Sequence, residues 1–409
     1  MVIVGAGVIG MSAAVALQKR GLSVTVLDRK GVAAETSRGN AGALTFCNSE
    51  PHNSLSVIRK VPGWFLDPIG PFAIPIRYAL QASPWLIRFL SASRPSRVAE
   101  TSRAQVALME FCRDVLPAFS KMAGTHNLLH QDGGLEIYDT EKEFNAALGV
   151  WEKRQAHGFS FEPVRGAKSI SDYQPGLNPR FERAIYTMSW QSVSDPLDYV
   201  ETLGETFRSR GGGIEIVGVE ALAGRPTGCD ITLSDGRTLS ANHVVVCAGA
   251  WSHTLARTLG DRIPLEAERG YNTTLPPSAL NLNRAILFAS HAFFVSRLTS
   301  GIRIGGAVEL GGLDLPPNYA RANALLTKAK SFFPGLKTEG GKQWMGYRPA
   351  LPDSLPVIGK SPNAPSLIYA FGHGHFGLTQ SSGTAELVTA LILDDTPAID
   401  LSPFRADRF

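Results

Sequence analysis

The N-terminal pattern of apolar and polar positions predicts a strand, a turn, a helix and a second strand. Val2-Ile3-Val4 is a short β-branched run, and an apolar, alanine-rich segment beginning at Met11 follows a cluster of glycines. Gly21 is well placed to end that helix. Apolar residues return from Leu22 to Leu27 and stop at Asp28. Alternation between a short strand pattern and a longer helical pattern is typical of α/β folds.

Helical and extended patterns alternate along the rest of the chain. Helices are predicted over 97–122, 141–157 and 196–210, and strands over 135–138, 214–217 and 229–233. Val244-Val245-Val246 is fully apolar, as in a buried parallel strand. From Ile263 the pattern favours antiparallel strands over 270–275, 285–297 and 302–306, followed by a helix over 319–333. From Trp344 a strand, a glycine-rich turn and a long helix beginning near Phe376 are predicted.

Composition places the chain among ordinary globular proteins. Its 409 residues are 44% hydrophobic and 19% charged, which excludes disordered, collagen-like and coiled-coil chains and favours two domains. The net charge is only +4 and the sequence contains no basic run, so nucleic-acid binding is not expected. The 4 cysteines form no C-x-x-C pair, which argues against a disulfide scaffold and a thiolate zinc site. No metal site is predicted.

No secretory or membrane-spanning segment is predicted. The apolar run at the N-terminus begins at Val2 with no basic leader before it. The most apolar later stretch, Val61 to Leu90, is divided by Asp67, Arg77 and Arg88 and by several prolines, so it cannot form one continuous spanning helix. The expected localisation is cytoplasmic, with peripheral contact on the inner face of the cytoplasmic membrane as a further expectation.

Gly5, Gly7 and Gly10 form a G-x-G-x-x-G fingerprint between the predicted strand and helix. The first glycine permits a tight turn, the second lets the backbone approach a pyrophosphate, and the third lets helix and strand pack closely. The helix N-terminus offers N–H groups and its positive dipole end to the phosphates. Asp28 follows the second strand and is suited to accept hydrogen bonds from a ribose diol. The pattern predicts a dinucleotide without a 2′-phosphate and leaves FAD and NAD open.

Three further motifs carry a resemblance to a known family. Glu35-Thr36-Ser37-Arg38-Gly39-Asn40-Ala41-Gly42-Ala43-Leu44 is rich in small and hydrogen-bonding residues, and its composition alone fits an exposed turn equally well. Gly346-Tyr347-Arg348-Pro349 and the glycine-rich segment from Gly372 to Gly383 lie in the C-terminal part. With the fingerprint, these motifs resemble the FAD-dependent D-amino acid oxidase and dehydrogenase superfamily, bacterial D-amino acid dehydrogenases above all. The resemblance covers essentially the whole chain.

The resemblance implies an α/β fold with a Rossmann-type FAD-binding domain and a discontinuous antiparallel-sheet substrate domain, of the glutathione reductase and D-amino acid oxidase type. The FAD-binding domain would comprise residues 1–60, 194–262 and 338–409, and the substrate-binding domain residues 61–193 and 263–337. FAD is expected to be noncovalent, because no cysteine follows Cys247, whereas some relatives attach flavin through a cysteine near the C-terminal motif. The implied cofactor-binding residues are Gly5, Gly7, Val8, Ile9, Gly10, Asp28, Arg29, Ser37, Asn40, Ala41, Gly42, Leu44, Val219, Ala248, Gly249, Trp251, Gly346, Gly374, His375, Phe376, Gly377, Leu378 and Thr379.

Arg348, Tyr271 and His375 are the candidate substrate-binding residues. Arg348 lies in an apolar, proline-rich stretch where a charge needs a partner, and a guanidinium holds a carboxylate through two parallel hydrogen bonds. In the family, the arginine of the matching segment binds the substrate carboxylate; a structural ion pair is the alternative. Tyr271 is expected to add a hydroxyl to this group or to lie in a half-buried strand. His375 matches a substrate-contacting position in relatives, and its alternative is a structural role.

The resemblance implies oxidative deamination of a small amino acid, and a D-amino acid in particular. A hydride would pass from the α C–H to flavin N5, and the imine would hydrolyse to a keto acid and ammonia. Electrons are expected to leave to a quinone or another acceptor. Glycine and sarcosine oxidases and D-hydroxyproline dehydrogenases share much of the pattern and are alternatives. A non-catalytic flavoprotein subunit of a larger dehydrogenase is another, whereas the flavin motifs disfavour an NAD-linked enzyme.

The stretch from Pro62 to Leu90 is poor in charge and rich in aromatic residues. These aromatic residues are Trp64, Phe65, Phe72, Trp85 and Phe89. A helical pair that covers the substrate pocket is the favoured interpretation, and a membrane-facing or quinone-facing surface is the alternative.

Overall fold

The computed structural model describes residues 1–48, 70 and 72–409 of the chain. Trp64 and Phe65 lie outside these ranges. The strands in chain order are β1 (Val2–Val4), β2 (Thr25–Asp28), β3 (Ala43–Leu44), β4 (Phe72–Ala73), β5 (Leu129–His130), β6 (Gly134–Tyr138), β7 (Glu162–Arg165), β8 (Arg183–Thr187), β9 (Gln191–Val193), β10 (Gly213–Ile216), β11 (Val219–Gly224), β12 (Cys229–Leu233), β13 (Thr238–Ala241), β14 (Val244–Val246), β15 (Glu266–Leu275), β16 (Ala285–Phe288), β17 (Phe293–Leu298), β18 (Gly301–Leu310), β19 (Lys342–Ala350), β20 (Val357–Lys360) and β21 (Leu367–Phe371). The α-helices are α1 (Val8–Lys19), α2 (Ala79–Ala92), α3 (Pro95–Met122), α4 (Glu141–Gln155), α5 (Ala167–Tyr173), α6 (Pro196–Ser209), α7 (Ser252–Thr258), α8 (Ala320–Phe332) and α9 (Gly377–Leu393).

A mostly parallel sheet holds the N-terminal fingerprint. Its strand order is β10-β2-β1-β14-β21-β20, and β20 runs antiparallel to β21. Every residue of β1, β14 and β21 is buried, as expected when both faces of a sheet are covered. Ile3 joins one apolar cluster, whereas Val2 and Val4 join another, so apolar core lies on both sides of β1. Helices α1 and α9 pack against each other in this part of the fold.

The predicted elements around the fingerprint are confirmed with small shifts. Helix α1 ends at Lys19, and Gly21 follows in a left-handed conformation at φ 81°. The second strand begins at Thr25 rather than Leu22, because the N–H of Leu22 still donates to the carbonyl of Leu17 in the turn that ends α1. These shifts leave the predicted strand, turn, helix and strand order unchanged.

The second sheet is larger and mostly antiparallel. Its order is β19-β15-β18-β17-β16-β6-β8-β7, with β4 beside β18. The pairs β16–β6 and β18–β4 are parallel. The strand predicted over 285–297 is two strands, because the chain turns at Ala289–His291 and Ala292 is left-handed at φ 50°. The predicted fold class, a parallel nucleotide sheet beside a largely antiparallel sheet, is confirmed.

Strand β19 belongs to the larger sheet. It pairs with β15 at every position from Glu266 opposite Ala350 to Thr274 opposite Lys342. The boundary predicted at residue 338 places this strand in the FAD-binding domain, so the boundary does not coincide with the point where the two sheets separate. Pattern alone could not show which sheet β19 joins. The predicted domain bounds stay a prediction.

Helix α2 is the described helix within the apolar stretch from Val61 to Leu90. The Tyr78 hydroxyl, one residue before α2, donates to Glu266 at 2.9 Å, and Trp85 Nε1 donates to the Ala350 carbonyl at 3.3 Å. These bonds place α2 against β15 and β19, as the predicted pocket cover requires. Four large apolar side chains nonetheless face solvent, namely Ile76, Leu80, Ile87 and Leu90. An exposed apolar surface is what the quinone-facing alternative requires. Within the described ranges, the helices are all too short or too polar to cross a membrane.

Candidate functional site

A cavity of about 260 Å³ opens where the loops after the parallel strands converge. Its walls come from the glycine turn after β1, the end of β2, Thr36 and Ser37, residues 247–249 after β14, and His373 and Gly374 before α9. Ligands of open α/β sheets bind at this carboxyl edge of the strands. The cavity is therefore the candidate site for the predicted dinucleotide.

The three fingerprint glycines have different roles in the turn. Gly5 is left-handed at φ 109°, and a Cβ there would lie 2.4 Å from the carbonyl oxygen of Cys247. A Cβ on Gly10 would lie 1.9 Å from the carbonyl oxygen of Gly5. A Cβ on Gly7 would meet the Ser37 hydroxyl at 3.2 Å and would otherwise enter the cavity. Gly5 and Gly10 thus shape the turn, whereas Gly7 leaves the space that a phosphate needs beside the N-terminus of α1.

Asp28 borders the cavity and also holds the turn together. Its carboxylate accepts hydrogen bonds from the backbone N–H of Ala6 at 2.8 Å, Lys30 at 2.8 Å and Gly31 at 2.9 Å. A carboxylate has about four lone-pair positions, so a ribose hydroxyl can still donate to it. The bare glycine turn, the helix N-terminus and this acid together fit an adenine dinucleotide.

Most of the predicted cofactor residues meet in this cavity. Those that line it are Gly5, Gly7, Val8, Ile9, Asp28, Arg29, Ser37, Asn40, Val219, Ala248, Gly249, Trp251, Gly374, Gly377 and Leu378. They come from segments as far apart as residues 5 and 378, which the parallel sheet brings together at one edge. Their predicted contacts with the cofactor stay predictions.

The other predicted cofactor residues lie outside the described lining of the cavity. They are Gly10, Ala41, Gly42, Leu44, Gly346, His375, Phe376 and Thr379. Gly10 is packed beneath Gly5, and Thr379 is buried in α9, where its hydroxyl accepts from the N–H of Thr45 at 3.3 Å. For all eight residues, the predicted contacts with the cofactor stay predictions.

Other residues that line the cavity were not predicted from the sequence. They are Val4, Leu27, Gly31, Ala34, Glu35, Thr36, Val200, Val217, Gly218, Cys247, Thr254, Leu255, Pro349, Ala370, Phe371 and His373. Several of these lining residues are sequence neighbours of predicted residues at the ends of strands. The predicted strand ends could therefore have identified them. Burial raises the pKa of the Cys247 thiol, which keeps it protonated and a poor nucleophile. The noncovalent attachment of the cofactor stays a prediction.

One wall of the cavity is built from charged and aromatic side chains. The Arg29 guanidinium lies 3.7 Å from the centre of the Trp251 ring and donates to Glu35 at 2.8 Å. Lys30 also pairs with Glu35, at 2.6 Å. The cation–π contact and the ion pairs fix the Trp251 ring at the cavity edge, where it can cover an adenine.

The turn Thr36–Gly39 connects the cavity to the larger sheet. The buried Arg303 side chain donates from Nη1 to the carbonyl oxygens of Arg38 at 3.0 Å and Asn40 at 2.5 Å. Asn272 Nδ2 donates to the Gly39 carbonyl at 3.0 Å, and the Trp344 ring fills the space that a Cβ on Gly39 would occupy. These contacts hold the predicted flavin segment between the cavity and strands β15, β18 and β19.

Arg348, Glu268 and His375 form a cluster beside this connection, which we call the Arg348 cluster. Cross-strand pairing places Glu268 of β15 directly opposite Arg348 of β19. Arg348 Nη1 donates to Glu268 Oε1 at 3.0 Å and to the Ala307 carbonyl at 3.1 Å. His375 Nε2 lies 2.5 Å from the same Glu268 oxygen. Pro349 next to Arg348 lines the cavity, so the Arg348 cluster adjoins the cavity.

The guanidinium of Arg348 rests on Gly270. A Cβ at this glycine would lie 2.2 Å from Arg348 Nη2, and Gly270 has no positive φ that would itself require glycine. The absence of a side chain at Gly270 therefore sets where the Arg348 cluster can sit. The side chain of Arg348 is 21% exposed and that of Glu268 is 12% exposed, so a ligand that enters the site can reach the guanidinium.

The prediction that Tyr271 joins the substrate-binding group is corrected. Side chains alternate along a strand, and the pairing of β15 with β19 places Tyr271 on the opposite face from Glu268 and Arg348. The Tyr271 hydroxyl donates to Glu309 and accepts from the N–H of Asn318 at 3.0 Å. Burial raises the pKa of Tyr271 to about 12. This is the buried-strand alternative, and the hydroxyl is not available beside Arg348.

His373 gives the fold a pH dependence that can be measured. It is 4% exposed, its Nε2 lies 3.0 Å from the Thr384 hydroxyl, and burial lowers its pKa to about 3. In the unfolded chain the pKa is about 6.5, so between pH 6.5 and 3 the unfolded state binds more protons and stability falls as pH falls. From pH 7 to pH 5 this costs about 2 kcal/mol. Urea unfolding should show that His373→Gln loses about 2 kcal/mol less than the wild type over this range.

The exposed His126 supplies the control for this measurement. His126→Gln should lose as much stability between pH 7 and pH 5 as the wild type does. An equal loss in His373→Gln and the wild type would show that His373 accepts a proton without cost in the folded state.

Comparison with known proteins gives consistent matches over the whole chain. The family model described as FAD dependent oxidoreductase matches residues 1–391. A D-amino-acid oxidase of Bradyrhizobium diazoefficiens is 32% identical over 416 aligned residues, which cover 100% of this chain and 98% of that protein. A D-amino acid dehydrogenase of Cereibacter sphaeroides is 30% identical, with 100% and 95% covered.

Solved structures share the fold at lower identity. The crystal structure of glycine oxidase from Geobacillus kaustophilus is similar with a TM-score of 0.79 at 22% identity, covering 100% of this chain and 98% of that chain. L-proline dehydrogenase from P. horikoshii is similar with a TM-score of 0.76 at 17% identity, covering 100% and 96%. The same pair of sheets therefore occurs in proteins whose names state different amine substrates.

Proposed function

This chain belongs to the family of FAD-dependent oxidoreductases, and from that premise we propose that it oxidises small D-amino acids to keto acids and ammonia. Family membership confirms the predicted FAD cofactor and the predicted enzyme class, an amino acid oxidoreductase. The single observation that carries the finer proposal is the position of Arg348, a partly exposed guanidinium directly beside the cavity that fits the dinucleotide.

The residues of this chain bind and orient the substrate. When bound, FAD supplies the acceptor for the hydride that leaves the amino acid α carbon. Arg348 holds the substrate carboxylate through charge-assisted hydrogen bonds, which fixes both position and orientation. Arg303 and Asn272 keep the turn Thr36–Gly39 in place between the cofactor cavity and the Arg348 cluster. The released imine hydrolyses in water.

The proposed electron acceptor is a quinone or another molecule, rather than mainly oxygen. The exposed apolar side chains of Ile76, Leu80, Ile87 and Leu90 support it, because a quinone or a membrane surface presents apolar area. We further propose that any membrane contact of this protein is peripheral and made through this face. The named relatives include both an oxidase and dehydrogenases.

Product analysis tests the proposed function. The purified protein is supplied with FAD and with D- and L-alanine, D- and L-proline, glycine, sarcosine or D-hydroxyproline. Turnover is followed by oxygen consumption in air and by reduction of a soluble quinone, and keto acid and ammonia are measured for alanine and glycine, because the secondary amines release no ammonia. The proposal expects equal amounts of keto acid and ammonia from a D-amino acid such as D-alanine, and faster turnover with the quinone. Turnover of glycine or sarcosine alone would contradict the D-amino acid assignment, and turnover in air equal to that with quinone would contradict the acceptor.

A further inference from the structure

A carboxylate to which the mechanism gives no role lies against the substrate-binding guanidinium. Glu268 Oε1 accepts from Arg348 Nη1 at 3.0 Å and lies 2.5 Å from His375 Nε2. Arg348 Nη1 is also bonded to the Ala307 carbonyl, whereas Nε and Nη2 make no hydrogen bond to the residues that the structure describes. The protein thus occupies one end of the guanidinium and leaves other N–H groups for a ligand.

The charge of Glu268 changes what the site attracts. A guanidinium alone would attract any carboxylate, but a carboxylate at 3.0 Å offsets its charge and repels a second anion. The carboxylate and the ammonium of an α-amino acid are both attached to the α carbon, so its opposite charges lie close together, as those of Arg348 and Glu268 do here. The two charges of Arg348 and Glu268 are therefore complementary to a zwitterion and not to a simple acid.

We propose that Glu268 recognises the amino group of the substrate, so that the site selects amino acids over carboxylic acids of the same carbon skeleton. This inference rests on the proposed function and names a specificity-determining residue for it. A site that contains both charges rejects an acid without the amine, because Glu268 would then face the acid's negative charge without a compensating ammonium.

The alternative is that Glu268 only holds Arg348 in position. The two roles predict opposite changes in the affinity for a simple acid when Glu268 is lost. If Glu268 only positions Arg348, its loss weakens amino acids and simple acids by the same factor. If it recognises the amine, its loss weakens the amino acid and strengthens the acid, because the repelling charge is gone. Glu268→Gln removes the charge and nearly preserves the shape.

Binding of D-alanine and propionate to the full-length, FAD-loaded protein tests this inference. The two ligands share a carbon skeleton and differ in the amine. Calorimetry gives the Kd of propionate, and the concentration dependence of anaerobic flavin reduction gives the Kd of D-alanine. In Glu268→Gln we expect the Kd of D-alanine to rise at least tenfold and that of propionate to fall severalfold.

Glu266 supplies a matched control. It lies two residues earlier on the same strand and face, is similarly buried, and bonds to Tyr78 instead of Arg348. Glu266→Gln removes the carboxylate that anchors Tyr78 before α2, so it should change the Kd of D-alanine and that of propionate by the same factor. Because it applies the same substitution to the same strand, it separates a local loss of charge from a general disturbance of β15.

Several outcomes would overturn the inference. Equal weakening of both ligands, or no change in either, would assign Glu268 a positioning role or none. If Glu268→Gln does not retain FAD, Glu268→Asp keeps the charge but retracts it; it should weaken D-alanine and leave propionate unchanged, and unaltered D-alanine binding would contradict the proposal. If the wild-type protein binds FAD but D-alanine does not reduce the flavin, both the proposed function and this inference are wrong. Failure of the inference alone would instead show in the variants, with a wild type that D-alanine reduces.

Discussion

Arg348→Ala is expected to raise the KM for D-alanine about 100-fold while FAD stays bound. In the proposed function the guanidinium binds the substrate carboxylate, and removing one partner of such a charge-assisted pair costs about 3 kcal/mol, or about two powers of ten. Arg348→Lys should lose most of the same affinity, because an ammonium lacks the planar pair of N–H donors. Steady-state kinetics and the flavin absorbance of the purified variants measure both effects.

Gly270 allows the same group to be displaced without changing Arg348. A Cβ here would lie 2.2 Å from Nη2, at the end of a flexible side chain, so Gly270→Ala should move the guanidinium with little loss of stability. A raised KM with normal FAD content and thermal stability would support the assignment. An unchanged KM in Arg348→Ala would remove Arg348 as the carboxylate-binding residue, and the structural ion pair with Glu268 would then be its role.

Gly7→Val is expected to weaken FAD retention while the chain still folds. Gly7 has an extended backbone at φ −75° and ψ −177°, which valine adopts readily. In the protein a Cβ there meets the Ser37 hydroxyl at 3.2 Å, but the branched side chain would fill the space that a phosphate needs. We expect FAD affinity to fall at least about tenfold, equivalent to about 1.4 kcal/mol. Absorbance after gel filtration and circular dichroism measure cofactor content and folding.

Substitutions at two other glycines serve as comparisons for Gly7→Val. Gly213→Val adds the same side chain to β10 of the same sheet, where a Cβ comes no closer than 3.9 Å to Thr25, so FAD content should not change. Gly10→Val should instead lower stability, because its Cβ would lie 1.9 Å from the Gly5 carbonyl. A Gly7→Val protein that remains fully yellow and active would refute the assignment of the phosphate site.

The N-terminal half of the site could be predicted from the sequence because its information is local. The glycine spacing, the apolar strand before it and Asp28 after the second strand lie within the first 28 residues, and each has one geometric purpose in a strand–turn–helix unit. The residues that close the cavity from β14 and α9 were predicted largely through the family resemblance. Their neighbours, such as Cys247 and His373, needed the structure because only the sheet order places them together.

The Arg348 cluster could not be predicted because it depends on strand register. Glu268 and Arg348 are 80 residues apart in sequence and meet only through the pairing of β15 with β19. The same register places Tyr271 on the opposite face of the sheet from Glu268. A shift of β15 by one residue would have turned Tyr271 toward the face of Arg348 and Glu268 away from it. Pattern along one strand shows that its faces alternate, but not which neighbour strand each residue will oppose.

We expect that this chain binds FAD and that a D-amino acid reduces the bound flavin. The most direct test of this expectation is the absorbance of the FAD-loaded protein between about 300 and 550 nm during anaerobic titration with D-alanine, with L-alanine as the control. We expect an oxidised flavin spectrum that D-alanine bleaches and L-alanine leaves unchanged. A bound flavin that no D-amino acid bleaches would contradict the proposed function, and a protein that binds no FAD after reconstitution would contradict the cofactor as well.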